Sequence, residues 1–487
     1  MITLVRAAFV IGYEGGDHVI IRDGEVAYEG ETIIFVGKSF PGTPDKVIDA
    51  GEAILGPGFI DLDALADIDH ALIDSWHGPE TATGLDWSED YFLNRRHDVF
   101  SPADRDFRHE FAFTQLIRNG ITTAMPIGGE MHNEWCETYD EWAAAASIAG
   151  RLGLRLYAGP SYRAGVNVVR ADGTRDVLWN EALGEAGFAD AVRFIEDFDG
   201  AHDGLIRGAL LPARIETMTP ELMRKTAAAS RRLGVKVRLH CLQGLKELRL
   251  LDARYGKTPL DLLDETGLLG PDLLIPHAIF LDSHSRNPNK GTGDLERLAS
   301  SGATVIHCPM TSLRYGTALE SFPKYRAAGV KFAMGTDSYP PDMIRNIDIG
   351  VHIPKVIEGR TDAGGAAEIY RAATLGGAAA LGRDDLGRLA VGAKADMIVV
   401  DLTNPRVGMI EDPIRTLHMN CTGADISTVI INGRTVMEDR NLPGVDAEAM
   451  SQRLKEYYAT MKAGYSERDY QRRPVDEIFP PTFRAAI

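Results

Sequence analysis

Four residues close short apolar runs with side chains that can bind a metal or move a proton. They are His240 ending VKVRLH, His277 ending LLIPH, His307 ending ATVIH and Asp337 ending KFAMGTD. Their spacings of 37, 30 and 30 residues each match about one strand-plus-helix unit. Such a repeat sets the four side chains on successive parallel strands around one mouth, which unrelated structural residues have no reason to do. Neutral imidazoles with a carboxylate suit one divalent ion, Zn²⁺ first, with Fe, Co or Mn also admissible. The ion brings the pKa of a bound water toward neutrality, and a carboxylate within hydrogen-bond reach takes and returns the proton. The four are therefore candidates for a metal site and for the proton transfer beside it.

The elements that must position these residues show in the texture of the chain. From about Gly58 to Gly387, GITTAMPI, LRLYAGP, GALLPARI, VKVRLHC, DLLIPHAIF, ATVIHCP and KFAMGTD alternate with longer amphipathic stretches. With LGPGFIDLDA they make eight strands, which predicts an α/β fold: a (β/α)₈ TIM-like barrel over residues 58–387. A doubly wound open sheet is the competing topology. Residues 1–57 read as β-branched runs between Gly and Asp turns. The same texture returns over residues 388–444, where Asn432-Gly433 marks a hairpin. The two ends are expected to build one small β-sandwich. Residues 445–487 read as a helix, AEAMSQRLKEYYATMKAGY, followed by a Pro-rich tail.

Composition narrows the function classes. Hydrophobic residues at 44% and charged residues at 25% are those of a folded protein, so disorder is excluded for most of the chain. The 52 basic against 70 acidic residues give a net charge of −18, which lacks the basic footprint that nucleic acid requires. With no run of eighteen apolar residues, no membrane partner is expected; a small-molecule substrate is. Cys136, Cys241, Cys308 and Cys421 lie too far apart for a disulfide framework or a paired zinc spacing, which fits the reducing cytoplasm. Neighbours on a strand face opposite sides, so Cys241 and Cys308, next to His240 and His307, are expected behind the barrel wall.

PGFID, the Asn119-Gly120-Ile121-Thr122-Thr123 strand, His240, YGKTPLDLLDETGLLGPDLLIPHAIFLD, HCPMTSL, MGTDS and LGRLAVGAKADMIVVDL occur in that order. Together they resemble the amidohydrolase superfamily up to about Val445, in the branch of S-adenosylhomocysteine and guanine deaminases and triazine hydrolases. The resemblance implies a barrel between two halves of a β-sandwich, a homo-oligomer, and a metal-bound water attacking an sp² carbon that bears nitrogen, chlorine or sulfur. It also implies that His240, His277, His307 and Asp337 are the functional positions of strands five to eight: His240, His277 and Asp337 as metal ligands, Asp337, His277 and His307 as catalytic groups, with His277 and His307 polarising the substrate or stabilising its oxyanion.

Two departures matter. Where the family shows His-x-His on the first strand, this chain has Asp63 and Leu65, and Leu65 cannot bind a metal. Where the deaminases carry a proton-moving Glu after the fifth-strand histidine, this chain has Gln243, which cannot be a general acid. Three arrangements answer the first departure: Asp63 joins His240, His277 and Asp337; Asp67-Ile68-Asp69-His70 supplies ligands; or no metal binds. The degenerate first strand resembles that of phenylurea and thiocarbamate hydrolases. The expected function is a metal-dependent hydrolase that cleaves a C–N or related C–X bond of an amide, urea or carbamate. The alternatives are a purine- or pterin-type aminoheterocycle deaminase and, in another class, an inactive ligand-binding homologue. Trp76, His77 and Trp87, with Tyr91, follow strand one as substrate contacts or as loop packing. Glu216, Glu130 and His132 read as solvated loop charges at the correct end of the barrel.

Overall fold

The β-branched runs at the N-terminus form two long strands, Ile2–Glu14 and Asp17–Glu29, paired antiparallel along their length. The computed structural model describes residues 1–69, 81–129 and 135–483. Val5, Val10, Val26 and Tyr28 gather in one apolar cluster with Met397, Val399 and Ile430 from the other end of the chain. Both ends therefore build a single eight-stranded sheet. Met397–Asp401 pairs with Ala53–Pro57 on one side and with Ile426–Ile431 on the other. The hairpin from Ile426–Ile431 to Arg434–Met437 turns through Asn432 and Gly433 at φ +52° and +73°, the left-handed pair of a two-residue turn. A Cβ at position 433 would lie 1.8 Å from the Gly30 carbonyl oxygen, so only glycine fits there.

Between these ends run eight parallel strands in two four-stranded sheets. One sheet orders Ile206–Gly208, Arg155–Ala158, Ile121–Ile127 and Phe59–Leu65; the other orders Val237–Arg238, Leu273–Pro276, Thr304–His307 and Lys331–Met334. Parallel bridges Leu210 to Val237 and Arg214 to His240 join one pair of edges. At the other pair, Asp337 N donates to Asp63 O at 2.7 Å and Thr336 N to Asp61 Oδ1 at 3.1 Å. Leu62, Met125, Leu211, Leu274, Ile306 and Ala333 gather in one cluster across the array. Their strand neighbours Ala124, Leu239, Ile275, Val305 and Met334 join the larger cluster that includes the helices. That is the two-sided burial a parallel sheet requires.

The C-terminal helix Ala447–Arg468 lays Tyr457, Met461 and Tyr465 against Phe100, Phe107 and Phe479, with Tyr457 stacked on Phe100 at 4.1 Å. Among the described residues no helix is long and apolar enough to cross a membrane.

The terminal sheet and the parallel array are tied by a buried ion pair. Arg155, on the array, meets Asp396, just before Met397–Asp401, at 3.1 Å and also donates to Asn432 Oδ1. Asp396 in turn accepts from Asn432 N at 2.7 Å. Removing one partner leaves the other charged and desolvated, a loss of about 3–5 kcal/mol. Asp396→Ala is expected to lower the denaturation midpoint accordingly; a shift within experimental error would show that the junction does not depend on this pair.

Candidate functional site

Strand alternation decides which side chains reach the mouth of the array. Leu239 and Cys241 pack outward in the large core, which leaves Arg238 and His240 on the inner side. His240 Nδ1 donates to the Ala213 carbonyl at 2.9 Å, an arrangement that assigns the tautomer and leaves the Nε2 lone pair available. His277 and Asp337, each just past its strand, have φ of +72° and +54°. Such left-handed conformations are uncommon outside glycine and concentrate at functional sites.

Asp63, His240, His277 and Asp337 each offer one ligand atom, and the four atoms lie within 4.8 Å of one another. Asp63 Oδ1 is 3.5 Å from His240 Nε2, Asp63 Oδ2 is 4.0 Å from His277 Nε2, and Asp337 Oδ2 is 3.7 Å from His277 Nε2. Asp63 Oδ1 and His277 Nε2 are buried without a hydrogen-bond partner. Two orphaned polar atoms, within a group of two imidazoles and two carboxylates that converge on one space, fit a divalent cation.

Electrostatics prepares these groups. Burial alone would raise the Asp63 carboxyl, but His240, Arg238 and His277 hold it far below the usual carboxylate range. Burial pushes His277 down to about 3, against the pull of Asp63, so its imidazole is neutral at ordinary pH. Arg238 Nη1 lies 3.6 Å from Asp63 Oδ1 and donates to the Met125 carbonyl. This arginine went unnoticed in the sequence, although its place two residues before His240 puts it on the same face of the strand.

The other expected residues fall in different places. His307 does not join the cluster: the alternation that turns Ile306 and Cys308 inward turns His307 outward, against Phe322 at 5.8 Å and Phe332 at 6.3 Å. There burial lowers it to about 4. Cys308, expected behind the wall, lies inside, with Sγ 3.5 Å from Asp63 Oδ2. Cys241 is in the outer core. Asp67 meets Arg108 at 3.6 Å and Asp69 accepts from Tyr339 N at 2.9 Å; neither belongs to the cluster. His70, Trp76, His77, Glu130 and His132 lie outside the described residues.

A cavity of about 460 Å³ opens above the cluster, lined by Leu65, Trp87, Glu216, Gln243, His277 and Asp337 among others. Trp87 both lines it and packs edge-on to Tyr91 at 5.0 Å. Glu216 is not a solvated loop charge: it is 4% exposed and accepts from Asn167 Nδ2 at 3.2 Å. Gln243 Oε1 accepts from Arg214. Glu247, also missed in the sequence, lines the same cavity and accepts from Leu242 N and Gln243 N. Burial and then the charge of Glu216 push its carboxyl up to about 8.

Known proteins agree with this architecture. Residues 57–436 match the sequence pattern of the Amidohydrolase family. A 5'-deoxyadenosine deaminase of Methanosarcina acetivorans is 27% identical over 91% of this chain and 95% of its own. A 5-methylthioadenosine/S-adenosylhomocysteine deaminase of Halobacterium salinarum is 28% identical over 92% and 96%. Among solved structures, an adenosine deaminase from Xanthomonas campestris with bound zinc superposes with a TM-score of 0.76 at 22% identity, covering 95% of this chain and 98% of that one. The atrazine chlorohydrolase TrzN from Arthrobacter aurescens TC1, complexed with zinc, gives 0.74 at 21%, covering 93% and 99%. With a family match spanning most of its length and a strand-end Asp-His cluster at one mouth, the chain belongs to the Amidohydrolase family and is a hydrolase acting on carbon–nitrogen bonds.

Proposed function

We propose that the protein is a metal-dependent deaminase that adds water to the amino-bearing ring carbon of an N-heterocycle and releases ammonia. The observation that carries hydrolysis is the buried Asp63, His240, His277 and Asp337 cluster beneath an open cavity. The deaminase names of relatives that span nine-tenths of the chain direct it toward an aminoheterocycle. We read the eight strands as a closed (β/α)₈ barrel over residues 58–387, a reading that both joined edges support. Residues 1–57 and 388–444 are then the two parts of the small β domain, with 445–487 as the closing helix and tail.

A divalent ion held by the four residues, zinc by the chemistry of the donors, would make water nucleophilic near neutral pH. The remaining work belongs to the chain. Asp337 accepts the proton of the attacking water and returns it to the departing amine, so a C–O bond forms, the C–N bond breaks and ammonia leaves. His240, with Nδ1 held by the Ala213 carbonyl, turns Nε2 to the cluster, and His277, kept neutral by burial, presents a lone pair instead of charge. Gln243 has no proton to give to a ring nitrogen. We assign that delivery to the pair of Glu216 and Glu247, which line the same cavity: burial and the charge of Glu216 keep the proton on Glu247 at neutral pH.

Gln243 favours one second reading. Cleavage of an amide, urea or carbamate requires no ring-nitrogen proton, so the missing glutamate costs such a reaction less.

The purified protein is expected to release ammonia from 5'-deoxyadenosine or S-adenosylhomocysteine, to lose that turnover on prolonged chelation and to regain it with zinc. Asp337→Asn is expected to lower kcat by about 10²–10⁴-fold while the circular dichroism spectrum is unchanged. Amine release from phenylureas with no ammonia from heterocycles would establish the second reading, and turnover of neither class would leave a ligand-binding protein. Glu216→Gln is expected to lower kcat on an aminoheterocycle by about 10²-fold or more with KM nearly constant. An unchanged kcat would remove Glu216 from the reaction.

A further inference from the structure

We propose a second metal site, separate from the cavity, formed by Asp348, His352 and His418 and taking zinc or another late first-row divalent ion. Asp348 and His352 stand four residues apart on the helix Met343–Glu358, a spacing that puts both on one face. His418 comes from the helix Pro413–Asn420, packed alongside. Asp348 Oδ1 lies 3.2 Å from His352 Nε2 and 3.1 Å from His418 Nδ1, and the two rings are 5.7 Å apart. One ligand atom from each residue falls within 4.8 Å of the others. Donors held at about 2.1 Å around a tetrahedral ion are separated by about 3.4 Å, so Asp348 already stands near coordination spacing from each histidine.

Two imidazoles and a carboxylate are the donor set that late first-row ions prefer over magnesium or calcium. His418 is buried, and its desolvation favours the neutral, ligating form over the imidazolium. His352 and Asp348 are about half exposed, so an ion can enter from solvent and water can complete its shell. None of the three lines the cavity, and the site is independent of the proposed reaction. Its place suggests a structural brace. The helix carrying Asp348 begins just after Asp342, five residues beyond Asp337, and Asp342 Oδ2 already accepts from Gly423 N at 3.0 Å. An ion at Asp348 would fasten the same helix a turn and more further along.

The test compares full-length wild type with His352→Ala after zinc loading and dialysis into zinc-free buffer, by elemental analysis and thermal melting. His352 is half exposed, so its removal leaves the packing intact; Asp348→Asn serves as a second variant. Expected is a loss of about one zinc equivalent in each variant, with turnover at the wild-type level. The rise in Tm that zinc confers on chelated wild type should shrink in both. Because the readout is a difference between proteins, it holds whether or not the mouth cluster retains its own ion. Equal zinc content in wild type and His352→Ala overturns the proposal.

Discussion

The site depends on the burial of one negative charge. Asp63 is fully enclosed, and a carboxylate taken from water into a protein interior costs several kcal/mol unless positive groups face it. Its histidine neighbours are no permanent counter-charge, since His277 is neutral across the ordinary range. Among the described residues, the fixed cation close to it is Arg238, 3.6 Å away. At an effective dielectric constant of about 20, two unit charges about 4 Å apart attract by about 4 kcal/mol. That is of the order of the desolvation cost, and with the histidines beside it the arginine keeps Asp63 ionised. A divalent cation among the four donors would meet a carboxylate that is already charged.

Around that charge, substitutions at the rim compensate one another. Leu65 offers no donor but lines the cavity, so the first strand contributes one ligand and one apolar wall. Gln243 removes a carboxyl from the mouth and its amide is held by Arg214. Two other carboxyls, Glu216 and Glu247, line the same cavity, where burial and the charge of Glu216 keep a proton on Glu247. Above the rim, Trp87 is gripped on one side by Tyr91 and on another by Arg468 of the C-terminal helix, 5.0 Å from its ring, so the tail of the chain helps shape the cavity wall.

Much of the site was legible because parallel strands impose a repeat. His240, His277 and Asp337 could be picked out by strand-end position and one-unit spacing, and Asp63 by its place in the first-strand motif. The small β sheet from both ends was equally plain in its β-branched runs and the Asn432-Gly433 turn. His307 obeyed the same spacing and yet points outward, while Cys308, read as its hidden neighbour, lies against Asp63. Glu216 looked like a loop charge because burial depends on what covers the loop, and that cover comes from elsewhere in the chain.

The sequence by itself determined the period, the order of strands and the residues available at their ends, because hydrophobic alternation and chain length are local properties. It also determined that the first strand had lost its usual donors. Tertiary structure alone decided which face of each strand looks inward and which charges meet. Alternation has two faces of equal period, and only the packing of the assembled array chooses between them. The contact between Asp63 and Cys308 spans 245 residues, and the register irregularity beside Asp63 appears only when its strand pairs with Ile121–Ile127. No local pattern encodes either, because both arise from groups brought together by packing and held there by the cost of leaving a buried charge alone.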